Sequence, residues 1–108
     1  MIQLLTLLSS KSGFDAALVD AGNELVVLDC FATWCGPCKT IAPKVVAMSK
    51  EFTNVKFYKI DVDQVFDVAQ ELNIRAMPTF VLFKNKERVG EVVGANESAL
   101  KAAIEKHL

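Results

Sequence analysis

A chain of 108 residues suits one domain and is too short for two. With 52% hydrophobic and 23% charged residues it can bury a core without disulfide staples, which excludes a disordered chain. A formal net charge of −1 offers no basic footprint for nucleic acid.

Met1 to Leu8 is apolar and reads as a first strand, followed by a turn at Ser9-Ser10. It is too short for a membrane span and lacks the basic n-region of a signal peptide, so neither membrane attachment nor export is expected. Ser12-Gly13-Phe14-Asp15 has capping-box spacing, and Phe14, Ala17, Leu18 and Ala21 then share one helical face until Gly22-Asn23. Leu25 to Phe31 is an almost continuous apolar run, as a fully buried strand requires. Downstream, Ile41, Val45, Met48 and Phe52 recur at helical spacing up to Asn54, with Pro43 inside the helix, where it should kink the axis.

Val55 to Val62 is rich in β-branched and aromatic residues and predicts a third strand. Val65, Ala69 and Leu72 predict a short helix ending near Asn73. Thr79–Lys84 and Arg88–Val93 are strands close enough to pair as an antiparallel hairpin about Asn85-Lys86. Asn96 can cap a last helix that turns Leu100, Ala103 and Ile104 inward. Strands alternate with helices until the hairpin, so the pattern predicts an α/β fold: a central mixed sheet with helices on both faces. Residues 1–108 read as a single domain.

Between the buried strand and the long helix lies Trp34-Cys35-Gly36-Pro37-Cys38-Lys39. Unpaired N–H groups and the positive end of the macrodipole gather at a helix start, so a thiolate on Cys35 is favoured there by about 0.3 to 1 kcal/mol. Cys35, expected to be the more exposed thiol, is the expected nucleophile, and Cys38, about one turn in, the expected resolving thiol. A bare Cys-x-x-Cys also serves zinc, which needs two further ligands. The rest of the chain offers only Cys30 and His107. Alternation places Asp29 on the face of Leu25 and Val27, so its carboxyl should be buried, whereas Cys30 points to the opposite, helix-covered side. Three cysteines without an export signal fit a reducing compartment, so a cytoplasmic location is expected.

This constellation resembles the thioredoxin family over essentially the whole chain. The six-residue motif, Asp29 six residues before the first cysteine, Pro43 in the helix, Lys59, Met77-Pro78-Thr79 and Gly94 all match that family's pattern. The resemblance implies a thioredoxin fold with five strands, parallel in the N-terminal part and antiparallel in the C-terminal hairpin, flanked by four helices. It implies a protein-disulfide reductase with a redox-active Cys35-Cys38 disulfide, Asp29 as buried proton acceptor for Cys38, and Lys59 beside it. A substrate surface of Trp34, Gly36, Pro37, Met77, Pro78, Gly94 and Ala95 follows, with Pro78 in the cis form.

No bound cofactor or metal is implied, because NADPH and FAD belong to the partner thioredoxin reductase. Clients would be disulfide-containing proteins such as peroxiredoxins or reductases, and a monomer is expected. Pro37, unlike the histidine common in disulfide isomerases, cannot place a cation beside the thiolate, which favours a reducing role. The alternative is a non-catalytic binding module of the same fold. Two positions depart from the family: Cys30 replaces an aromatic residue, and Lys86 replaces a turn glycine, so a turn other than type I′ is expected there.

Overall fold

The computed structural model describes residues 5–108. Its elements are β1 (Thr6–Leu7), α1 (Lys11–Ala21), β2 (Val26–Phe31), α2 (Gly36–Glu51), β3 (Lys56–Asp61), α3 (Phe66–Glu71), β4 (Thr79–Lys84), β5 (Glu87–Val93) and α4 (Glu97–His107). The five strands form one sheet in the order β1-β3-β2-β4-β5. β3 runs parallel to both β1 and β2, whereas β4 runs antiparallel to β2 and to β5.

Parity along β2 divides the core. Val26, Leu28 and Cys30 pack with Phe14, Ala17 and Val68 beneath α1 and α3. Leu25 and Val27 pack with Ile41, Val45, Leu100 and Ile104 beneath α2 and α4. Both faces of the central strand are therefore dry, which explains its unbroken apolar run. Asp29 has the parity of Leu25 and Val27 and lies directly beside Lys59 on β3.

Three local expectations change. Residues 1–4 of the predicted first strand lie outside the described ones, and among the described residues the strand spans only Thr6–Leu7, followed by the Leu8 N–H donating to the Lys59 carbonyl at 2.9 Å. The N-cap of α1 is Ser10, not Ser12: Ser10 is extended and its Oγ accepts the Gly13 N–H at 3.0 Å, while Ser12 already lies inside the helix. Only the residue just before the helix can turn its side chain back onto the free donors of the first turn.

The hairpin turn is the third change. Lys84 pairs with Glu87, leaving a two-residue loop in which Asn85 and Lys86 have φ of 53° and 68°. Positive φ at both central residues is the type I′ pattern, whose twist matches that of the flanking strands. The paired strands thus impose on Lys86 a conformation that its own side chain disfavours.

α2 runs unbroken through Pro43, and α3 ends where predicted. There Asn73 adopts φ 58°, its N–H donates to the Gln70 carbonyl, and the Ile74 N–H donates to that of Ala69. This pair of bonds is a Schellman motif.

Candidate active site

The site lies where β2 gives way to α2. Cys35 is the N-cap of α2, in extended conformation, and its Sγ accepts the Cys38 backbone N–H at 3.2 Å. Cys35 and Cys38 are joined as a disulfide, with Cα atoms 5.3 Å apart. Gly36 and Pro37 open the helix; a proline is tolerated there because its missing N–H would have had no intrahelical partner.

The expected exposure difference between the thiols is absent in this oxidised state: Cys35 is 4% exposed and Cys38 6%. What distinguishes them is position. Cys35 occupies the cap, where an N–H points at its sulfur, while Cys38 lies inside the helix against the protein.

Behind Cys38 is a cavity of about 280 Å³ lined by Asp29, Phe31, Ala32, Lys39, Ala42 and Lys59, among others. Asp29 is buried and its Oδ1 has no hydrogen-bond partner. Burial pushes its carboxyl up from 3.8 to about 7, against the opposing pull of the Lys59 ammonium. The Lys59 ammonium lies 5.7 Å from the centre of the Phe31 ring, a cation–π distance. Asp29, Lys59 and Cys38 thus share one cavity.

The rim also assembles, with one correction. Trp34 is 66% exposed, as a rim residue should be, and its indole N–H donates to Asp63 Oδ2 at 3.0 Å. The Met77 carbonyl oxygen lies 3.5 Å from Cys35 Sγ, and the Met77-Pro78 bond is cis. Pro78 itself is fully buried, so it supports Met77 instead of offering surface. Its carbonyl accepts the Gly94 N–H at 2.8 Å, which brings the end of β5 to the same rim, where Gly36, Pro37 and Ala95 are exposed. Asp63, Phe31, Phe66 and Arg75 were not picked out by the sequence reading. Asp63 lies 29 positions from its tryptophan, and no local pattern links them.

Among the described residues no group of three His, Cys, Asp or Glu is placed to hold a metal ion, and no helix is long and apolar enough to cross a membrane. Cys30 is wholly buried, with its thiol raised by burial and by the neighbouring Asp29.

A family model described as thioredoxin matches residues 5–106. Thioredoxin-2 of Saccharomyces cerevisiae is 48% identical over 101 residues, covering 94% of this chain and 96% of its own. A solved thioredoxin from Fasciola hepatica superposes with a TM-score of 0.95 at 40% identity, covering 96% of this chain and all of that one. A chain from a structure concerned with the thiol resolving mechanism of yeast mitochondrial 1-Cys peroxiredoxin via glutathione/thioredoxin systems gives a TM-score of 0.88 at 37% identity, covering 94% of each.

Proposed function

Since this chain belongs to the thioredoxin family and is a protein-disulfide reductase, we propose a division of labour among its residues that follows from their positions. In the reduced protein the Cys35 thiolate, stabilised by the Cys38 N–H and the helix start, attacks one sulfur of a client disulfide. The client S–S bond breaks, its other sulfur leaves as a thiolate that takes up a proton, and a Cys35–client disulfide forms. Asp29 accepts the Cys38 proton across their shared cavity. The Cys38 thiolate then attacks Cys35 Sγ, breaking the Cys35–client bond, closing the Cys35-Cys38 bond and expelling the second client sulfur as a thiolate that takes up a proton. Two electrons pass to the client in each cycle.

The observation that carries this reading is the Cys35-Cys38 disulfide at the start of α2 with the buried Asp29 carboxyl lining the cavity behind Cys38. A carboxyl near pH 7 takes and returns a proton with little bias, as a proton carrier requires. Lys59 tunes it, and the rim of Trp34, Gly36, Pro37, Met77, Gly94 and Ala95 receives the client's extended segment, held in shape by Pro78. Electrons return from NADPH through a flavin-dependent thioredoxin reductase. Peroxiredoxins are among the clients, a reading supported by the context of the yeast-related structure. The protein acts as a monomeric electron carrier in the cytoplasm, as one unit over residues 1–108.

Insulin reduction with dithiothreitol as electron donor tests the activity, and the cysteine variants test the roles. Cys38→Ser should accumulate a mixed disulfide with client, detectable by mass, whereas Cys35→Ser should form none and reduce nothing. A Cys35→Ser protein with full biological function would instead make the chain a binding module.

A further inference from the structure

The Lys59 ammonium has two places to go on one face of the sheet. Lys59 on β3 is in register with Asp29 on β2, and Asp61, two residues on, is in register with Phe31. Residues two apart on a strand share a face, and Asp29, Phe31 and Lys59 all line the cavity behind Cys38. Neighbouring strands lie about 4.8 Å apart and a lysine stem is long and flexible, so the ammonium can reach the Asp29 carboxyl.

It does not settle there. The ammonium lies 5.7 Å from the centre of the Phe31 ring, and Lys59 takes part in none of the ion pairs among the described residues. Asp29 Oδ1 is left without a hydrogen-bond partner, although the lysine beside it has donors to offer. Phe31 thus occupies the cation that the strand register assigns to Asp29.

Other charges around Asp29 are few. Lys39 and Cys38 of α2 line the same cavity. β4 sets Phe80 beside Asp29, and α4 turns Leu100 and Ile104 to this face. Asp61 stands beside Phe31, but its Oδ1 already accepts the Asp63 N–H at 2.9 Å. Cys30 packs on the opposite face. The Lys59 ammonium is the charge that pulls on Asp29, downward and against the effect of burial, so its position decides the strength of that pull.

We propose that Phe31 is a positioning residue of the reductase cycle: its ring face holds the Lys59 ammonium off Asp29 and leaves that carboxyl free to exchange a proton with Cys38. This role rests on the reductase reading above, and Phe31 acts through Lys59 without exchanging a proton itself. An aliphatic side chain of similar bulk keeps the cavity wall but offers no ring face, so the ammonium moves to the carboxylate whenever Asp29 is ionised. Asp29 then holds its proton less tightly and is a weaker acceptor.

The test follows the Asp29 carboxyl by its carbonyl-carbon NMR shift in the oxidised protein, assigned by its loss in Asp29→Ala. Phe31→Leu should lower the titration midpoint by about half a pH unit, the equivalent of one cation–π contact. Phe31→Tyr, which restores a ring face, should titrate like the parent. On a Lys59→Met background, where no cation remains to be held, Phe31→Leu should leave the midpoint unchanged. Stopped-flow reaction of the reduced protein with an aromatic disulfide adds a kinetic readout, because the first thiol released reports Cys35 attack and the second reports Cys38 attack. In Phe31→Leu the second release should be about twofold slower on the plateau above the Asp29 midpoint, with its acid limb moved in step with that midpoint.

A Phe31→Leu midpoint equal to the parent's would overturn the proposal, whether the freed ammonium turned to Asp61 or to water. So would an equal shift in Phe31→Tyr, or a shift that persists without Lys59, since either marks packing and not the cation. Absence of any thiol release from the parent protein would instead overturn the reductase reading itself.

Discussion

Asp29 and Lys59 stand side by side on β2 and β3, yet Asp29 Oδ1 has no hydrogen-bond partner and the Lys59 ammonium lies over the Phe31 ring. A buried carboxyl beside a lysine that does not satisfy it is kept protonated to a much higher pH than in water. The strand pairing brings the charges close without neutralising them.

The first prediction follows from that arrangement. The folded state holds the Asp29 proton up to about pH 7, while the unfolded chain loses it near 3.8. Between those values the native state binds more protons, so the Asp29 contribution to stability is lost as pH rises through this window, and above it the loss is complete. At about 1.4 kcal/mol per unit the loss is on the order of 4 kcal/mol, less whatever the buried site relaxes. Asp29→Ala should therefore be more stable than the parent at pH 8 by about 2 kcal/mol or more, with the advantage gone near pH 4. Urea titrations of both proteins at the two pH values check this, and a difference independent of pH would refute it. The variant should also reduce insulin more slowly.

Lys86→Gly should stabilise the protein. Lys86 has φ 68°, a region that costs an L-residue about 1 to 2 kcal/mol, of which the greater freedom of glycine in the unfolded chain returns a part. A net gain of about 0.5 to 1 kcal/mol should appear as a rise of a few degrees in Tm. An unchanged or lower Tm would mean that the turn holds Lys86 without strain.

Gly94→Ala should do the opposite. Gly94 has φ 97°, and a Cβ built there meets no atom within 4 Å, so the cost is conformational and not steric crowding. A loss of about 1 to 2 kcal/mol is expected in a denaturant titration. Neutral behaviour would show that the Gly94 to Pro78 hydrogen bond does not hold that φ.

Cys30 should be silent in the native protein. It is wholly buried, and burial and Asp29 both raise its thiol. Iodoacetamide at pH 8 should label the reduced native chain at Cys35 but not at Cys30, and mass analysis should find Cys30 labelled only after addition of denaturant. Native labelling of Cys30 would contradict the packing of β2.

Much of this was legible because the relevant physics is local. Strand parity alone placed Asp29 on the face of Leu25 and Val27, and the structure finds it buried there. Cys35 at a helix start followed from an apolar run meeting a helical period, since both patterns are complete within a few residues. Asn73 and Asn96 lie where helix-end chemistry requires them. The fold class followed from the alternation of these units.

Other features depended on choices that neighbouring residues leave open. Ser10 and Ser12 are equally good caps as residue types, and the point where the chain leaves β1 selects Ser10. Lys86 disfavours a type I′ turn, but the pairing of Lys84 with Glu87 imposes one. The disulfide state buries both cysteines almost equally, because closing the bond draws the Cys35 sulfur in against Cys38, a tertiary effect that position at a helix start does not specify.

The sequence by itself determined the reactive pair, the buried carboxyl and the layered α/β plan, because each rests on spacing within one element. Tertiary structure alone decided that Asp63 holds Trp34, that Phe31 takes the Lys59 ammonium, and that Phe66 and Arg75 face one cleft beside Met77. Those contacts join residues on different elements, and only the sheet register and the packing of α3 against it bring them within reach.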